Sequence, residues 1–305
     1  MTIQQLKIEQ KIEEQKLFMI EENNYIRITE CPRDAMQGIK KFIPTEEKIN
    51  YLNSLLKVGF DIIDFGSFVS PKAVPQMKDT SKLLNQLEIN NSNSSLLSVV
   101  LNKRGACDAV KFDEIEYIGY PFSISEIFQK KNSNKSIDDS VNLIDDLVNI
   151  TFNSNKKLLV YISMAFGNIY NEDYSPDLVY NYIEKFSQMG VSYFTLADTV
   201  GIASPDLIKI ILSNLDLKRK NIGVHFHSHP DESYLKIKTA FECGCRRFDS
   251  AIYGIGGCPF AKDDLVGNIS TQTILNFSQT NKIHHNLNML NFESSCNEAK
   301  KIFKF

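Results

Sequence analysis

The stretch NIGVHFHSHP, residues 221–230, holds three of the chain's five histidines at alternate positions. In an extended strand, residues i, i+2 and i+4 share one face. His225, His227 and His229 would then point the same way, but Pro230 and Asp231 predict that the strand stops near His227. Two imidazoles at neighbouring same-face positions, roughly 7 Å apart along the backbone, can converge on one metal ion. Hydrogen-bonded core histidines have the same spacing, so HxH alone does not decide. His229, past the expected strand end, reads as a surface residue or a support for the other two.

Other groups able to do chemistry sit in short segments that follow apolar runs. ECPRDAMQG offers Arg33 and Asp34; DFGSFVSPKAVPQM offers Asp64, Ser67 and Lys72; MGVSYFTLADT ends near Asp198; YGIGGCPFAKDDLVGN carries Cys258 and Asn268. A thiol in a glycine-rich turn can bend over a bound ligand, which favours Cys258 as a mobile acid or base over a structural cysteine. The same loop lacks the Lys-Ser/Thr ending of a phosphate-binding P-loop.

The elements that would carry these groups repeat. VGFDIIDFG, MGVSYFTLADT and CGCRRFDSA each place a glycine suited to ending a helix before an apolar run and an aspartate near its carboxyl end. Before each glycine, TEEKINYLNSLLKVG, SPDLVYNYIEKFSQMG and PDESYLKIKTAFECG carry apolar residues three and four apart behind helix-opening cues. Eight strand candidates result: 25–29, 60–65, 96–101, 116–120, 158–163, 193–197, 222–227 and 247–252. The weakest unit is the third, where RGACDAVKF is the only short helix candidate before strand four. Eight strands mostly separated by helices predict an α/β fold of the (β/α)8 TIM-barrel class. No GxGxxG follows the first strand, against a dinucleotide-binding sheet. In a closed barrel the eighth strand neighbours the seventh and the first, so Asp34, His225, His227 and Asn268 would meet on three adjacent staves. Two imidazoles, a carboxylate and an amide oxygen suit a divalent ion such as Mg or Mn, and zinc also fits the set.

Bulk properties agree with a soluble enzyme. At 305 residues and 43% hydrophobic content the chain can bury a large core, and a net charge of −3 argues against nucleic acid or an anionic membrane as main partner. No apolar run is long enough to span a bilayer and the N-terminus lacks a signal-peptide layout, which predicts a cytoplasmic protein. The six cysteines form no CxxC and are expected to be reduced; Cys243-Gly-Cys245 reads as a helix end with a glycine stop. Residues 1–22 read as an N-terminal extension without assigned chemistry, and 23–305 as one catalytic domain.

Taken in order, PRDAMQG, SFVSPKAVPQM, FQKKNSNKSIDDS, LADTVGIASP, HFH and GIGGCPFA...GN resemble the 3-hydroxy-3-methylglutaryl-CoA lyases, metal-dependent TIM-barrel enzymes, over about residues 25 to 280. The resemblance implies cleavage of that acyl-CoA to acetoacetate and acetyl-CoA, as in leucine degradation and ketone-body formation. It implies Asp34, His225, His227 and Asn268 as metal ligands, Arg33 beside the thioester, Cys258 on a mobile catalytic loop and Asp198 as an active-site carboxylate. A base near the metal, His225 or a water held by Asp64, would take the hydroxyl proton. Ser67, Lys130, Lys131 and, more distantly, Lys72 would face the substrate and its CoA phosphates, and a homo-oligomer, a dimer, is expected. Three departures stand out: Asp64 where better-known members carry glutamate, a loop from Cys258 to Asn268 that is one residue longer, and HFHSHP in place of the usual polar residues after HxH. The rival within the superfamily is a condensing synthase, which usually carries a regulatory domain after the barrel. A catalytically decayed metal-binding barrel would not need Cys258 on a glycine loop.

Overall fold

Glycine stops and proline starts set the repeat. Helix α2 (Thr45–Val58) ends at Gly59 with φ 82°, and α9 (Pro230–Glu242) ends at Cys243 followed by Gly244 with φ 96°, left-handed positions that reverse the chain into the next strand. The Cys243-Gly-Cys245 stretch is thus a helix stop, as its sequence predicts. Helices α1 (Pro32–Gln37), α7 (Pro176–Gln188), α8 (Pro205–Ser213) and α9 all open on proline, whose fixed φ suits a first turn. The computed structural model describes residues 24–257 and 266–304. The N-terminal extension and Cys258 lie outside the described residues.

Eight parallel strands follow one another around a closed ring: β1 (Arg27–Glu30), β2 (Ile62–Ser67), β3 (Ser95–Val99), β4 (Ile115–Ser123), β5 (Lys157–Ser163), β6 (Tyr193–Asp198), β7 (Ile222–Ser228) and β8 (Arg247–Ser250). Pairing of β6 with β7 and of β8 with β1 completes the barrel. All eight predicted strands are present, with ends shifted by at most three residues, and the weak third unit resolves as α4 (Lys103–Ala109), capped by Asn102 accepting from the Gly105 amide. Helices α6 (Ile137–Asn153), α10 (Thr271–Thr280) and α11 (Met289–Phe303) join the outer layer, α6 opening with a Ser136/Asp139 capping box. α11 meets α2 and the turn before β2 through Tyr51–Phe303 and Phe60–Phe292 edge contacts. Among the described residues no helix is long and apolar enough to cross a membrane.

Alternation along the strands divides the core. Ile63, Phe65, Val224, Phe226 and Phe248 face the helices, while Ile62, Leu97, Val99, Tyr117, Leu159 and Tyr161 form a smaller cluster inside the ring. That inner cluster lines β2 to β5, leaving the sector of β7, β8 and β1 to polar groups. One element has no counterpart in the sequence reading: β9 (Gly267–Asn268), a two-residue strand antiparallel to the end of β7, with His227 opposite Asn268.

Glu30, at the end of β1, ties this sector to the segment after β8. It is fully buried, and its carboxyl accepts from the Ile252 amide at 2.8 Å and the Thr271 hydroxyl at 2.6 Å. Burial pushes its pKa up to about 8, against the pull of those two donors. The folded state therefore binds the proton more tightly than the unfolded chain, and stability falls as pH rises from about 4.5 through about 8. Glu30→Gln keeps the Ile252 contact through Oε1 and can donate from Nε2 to the Thr271 hydroxyl, without an ionisable group. Chemical denaturation at pH 5.5 and 8.5 should show a loss of a few kcal/mol in the wild type over this interval and a much smaller one in the variant.

Candidate metal and active site

The barrel's C-terminal rim gathers its chemistry from three neighbouring strand ends. Directly after β1 the chain turns into α1, which presents Arg33 and Asp34 in its first turn. From β7, His225 and His227 point to the same side, and β9 brings Asn268 alongside. One ligand atom each from Asp34, His225 and His227 lies within 4.8 Å of the others. Asn268 donates its Nδ2 to Asp34 Oδ2 at 2.7 Å and to the Ile255 carbonyl at 2.9 Å. Its Oδ1 is buried without a hydrogen-bond partner.

The partners of the imidazoles fix their tautomers. His227 Nδ1 faces the Thr199 carbonyl at 2.8 Å and so carries a hydrogen; His225 Nδ1 faces Asp249 Oδ2 at 3.3 Å. Both Nε2 atoms then turn to the shared space, 3.1 Å apart. Two neutral lone pairs at that distance repel unless a proton or a cation lies between them. Burial, followed by the charge of His225, lowers the His227 pKa to about 4, while burial of His225 is outweighed by its hydrogen bond to Asp249, which raises it. With an orphan amide oxygen and a carboxylate beside them, the donor set fits a divalent ion.

Arg33 links this set to β2. Its Nε reaches Asp64 Oδ2 at 3.0 Å, Nη2 pairs with the same carboxylate, and Nη1 donates to Asp34 Oδ1 at 3.2 Å and Gln37 Oε1 at 2.9 Å. Of five N–H groups, one on Nη2 is left for a ligand. Burial alone would weaken the guanidinium's hold on its proton, but Asp64 and Asp34 raise its pKa. Burial pushes Asp64 up to about 6 against the pull of Arg33. Asp34 stays below its ordinary value because Arg33, the two imidazoles and Asn268 outweigh its burial.

The remaining expected residues fall into distinct places. Asp198 does not open on the Asp34–histidine cluster: its buried carboxylate accepts from the Ile202 and Ala203 amides and pairs with buried Lys236 at 3.0 Å. Lys236 also donates to the His227 carbonyl at 3.1 Å, so this pair braces the end of β7. Ser67 ends β2 with its buried hydroxyl unpartnered. Lys130 and Lys131 sit on α5 (Glu126–Ser133), at the rim after β4, the first paired with Glu126 at 3.3 Å and the second 4.5 Å from the Tyr170 ring. Lys72 is exposed in the loop after β2. His229 is the N-cap residue of α9, outside the ligand cluster. The loop toward Cys258 leaves past the site: a Cβ on Gly256 (φ 94°) would stand 2.8 Å from Asn268 Nδ2 and 2.9 Å from the Asp34 carbonyl, so only glycine lets the chain run this close.

Asp249, Tyr161 and Lys236 were not singled out from sequence. Asp249 is the aspartate of the third repeated segment, so the repeat itself carried its signal. Tyr161, on β5, places its ring 6.2 Å from that of His225 and is raised well above its ordinary pKa, first by burial and then by Asp249 and Asp64. Lys236 looks like any polar helix residue.

Against known proteins, the HMGL-like family model matches residues 26–297. Human mitochondrial hydroxymethylglutaryl-CoA lyase is 31% identical over 268 residues, 87% of this chain and 81% of that protein. The hydroxymethylglutaryl-CoA lyase YngG of Bacillus subtilis is 30% identical over 246 residues, covering 80% of this chain and 81% of its own. Among solved structures, the B. subtilis HMG-CoA lyase superposes with a TM-score of 0.85 at 28% identity, covering 91% of this chain and 93% of that one. An HMG-CoA lyase from A. baumannii, in complex with coenzyme A and 3-methylmalate, gives 0.85 at 26% over 92% of both chains. A match that runs from β1 into α11, through every strand end bearing the cluster, leaves one assignment: the chain belongs to the HMGL-like family.

Proposed function

We propose that this protein cleaves 3-hydroxy-3-methylglutaryl-CoA to acetoacetate and acetyl-CoA, with a divalent ion, Mg or Mn, held by Asp34, His225, His227 and Asn268. The observation that carries this reading is the meeting of those four side chains next to Arg33, in a chain whose relatives are named for that activity. The ion, when bound, would polarise substrate oxygens as a Lewis acid.

The protein's own groups supply the rest. Cleavage removes the proton of the substrate's 3-hydroxyl, turns that carbon into the ketone of acetoacetate, and leaves the bond's electron pair on the acetyl-CoA fragment as an enolate. Arg33, buried and fixed by Asp64, keeps one N–H for the oxygen on which that charge develops. His225 cannot be ligand and base at once, because its Nδ1 is committed to Asp249 and its Nε2 to the ion. Asp64, pushed up to about 6 and already against Arg33, is the proton acceptor that remains. Cys258 protonates the enolate carbon from the glycine loop. Ser67, Lys130 and Lys131 serve the acyl-CoA, and Asp198 acts through Lys236 on the position of His227. A homodimer and a cytoplasmic location complete this reading; the relatives include a rat lyase named as cytoplasmic.

The direct test mixes metal-loaded protein with 3-hydroxy-3-methylglutaryl-CoA and measures acetoacetate. Turnover should vanish on chelation and return with Mg or Mn, and His227→Ala should lose bound metal while keeping its fold by circular dichroism; full turnover after chelation would sink the proposal. Arg33→Gln should lower kcat by several orders of magnitude with a modest change in KM, because enolate charge appears only as the bond breaks. A large rise in KM at near-normal kcat would contradict that role. Cys258→Ser should lose turnover while keeping metal, whereas Cys243→Ser, at the end of α9, should be nearly silent. Equal activity of the two would show Cys258 to be structural.

A further inference from the structure

The opposite, N-terminal mouth of the barrel is only partly filled by branched apolar side chains, the usual plug of this fold. It opens into a cavity of about 810 Å³. Arg247 stands at its floor on the inward face of β8, two residues before Asp249. The guanidinium is buried, with Nη2 donating to the Phe194 and Asn221 carbonyls and Nη1 without any hydrogen-bond partner. Room for it comes from β7: a Cβ on Gly223 would lie 2.8 Å from Arg247 Cζ. A buried cationic N–H left unpaired is costly, and the cavity that Arg247 lines gives the guanidinium room to turn toward a ligand.

The walls match that demand. Arg27, the register partner of Arg247 on β1, lines the same cavity. Across it, the Tyr117 and Tyr193 rings meet edge to face at 5.3 Å, with Lys157 Nζ 5.0 and 5.6 Å from their centroids. The two carboxylates on the wall are already engaged, Glu116 by Ser95 and Lys157 and Asp61 by the Ile28 amide and the Tyr25 hydroxyl. Positive charge is concentrated here although the chain carries a net −3.

We propose that this mouth is a second binding site, for a phosphate-bearing small molecule, with Arg247 and Arg27 on the phosphate and the Tyr117–Tyr193 pair beside whatever the phosphate carries. A guanidinium pair suits phosphate oxygens by geometry as well as charge. The cavity volume exceeds what one inorganic phosphate needs and falls in the range of small-ligand sites. The site stands independently of the chemistry assigned to the other rim.

Isothermal titration of the full-length, metal-loaded protein with inorganic phosphate, and separately with AMP, tests it. The wild type should show saturable binding in the roughly millimolar range or tighter. Arg247→Met and, on an exposed position that does not threaten folding, Arg27→Ala should each weaken it about tenfold or more. AMP binding much more tightly than phosphate would assign the ligand to the nucleotides, with the tyrosines taking the base; equal affinities would assign it to the phosphate group alone. Absence of saturable binding in the wild type, or affinities for both probes unchanged in both variants, would overturn the proposal. The second outcome would place the binding at the catalytic rim.

Discussion

The pairing of β1 with β8 is the contact on which the rest of the molecule depends. It joins segments more than 200 residues apart, in register from Arg27 opposite Arg247 to Glu30 opposite Ser250. Glu30 extends the seam to Ile252 and Thr271. Without this closure Asp34 would stand at one edge of an open sheet, with both histidines on β7, one strand in from the other edge. Closure of a loop of that length costs entropy before it returns any contact, so the ligand set belongs to the final, cooperative state of the fold.

Much of the architecture was legible because it rests on periodicity. The inward face of β7 shows in the alternation of His225 and His227, and the repeated aspartates mark strand ends. What stayed hidden was of three physical kinds. A strand of two residues, β9, has no period to read, so Asn268 could be placed after β8 but not opposite His227. Pairing partners far apart in sequence leave no local trace, so Asp198 looked open until Lys236 met it. Roles that exclude one another, such as His225 as base and as ligand, separate only when each ring nitrogen has a partner.

The rim is also a chain of carboxylates, imidazoles and a guanidinium. Asp249, His225 and His227 follow one another through contacts of about 3 Å, as do Asp34, Arg33 and Asp64, and the two runs meet where His227 and Asp34 lie within 4.8 Å. Each buried ionic group has a partner of the other sign or a hydrogen bond, the condition under which charge can be kept away from water. Asp64 in place of a longer acid is consistent with this packing, since its carboxylate meets Arg33 directly. The inner apolar cluster of β2 to β5 then works as the dry wall against which the polar sector is held.

The order of the four proposed ligands along the chain sets when a metal could enter. Asp34 is synthesised early, His225 and His227 about two hundred residues later, and Asn268 later still, on a strand that pairs only once β7 is in place. A growing chain therefore never presents more than a fragment of the site. For the ion of the proposed function, loading would then be a maturation step of the finished barrel, with its cellular supply acting on folded protein rather than on nascent chains.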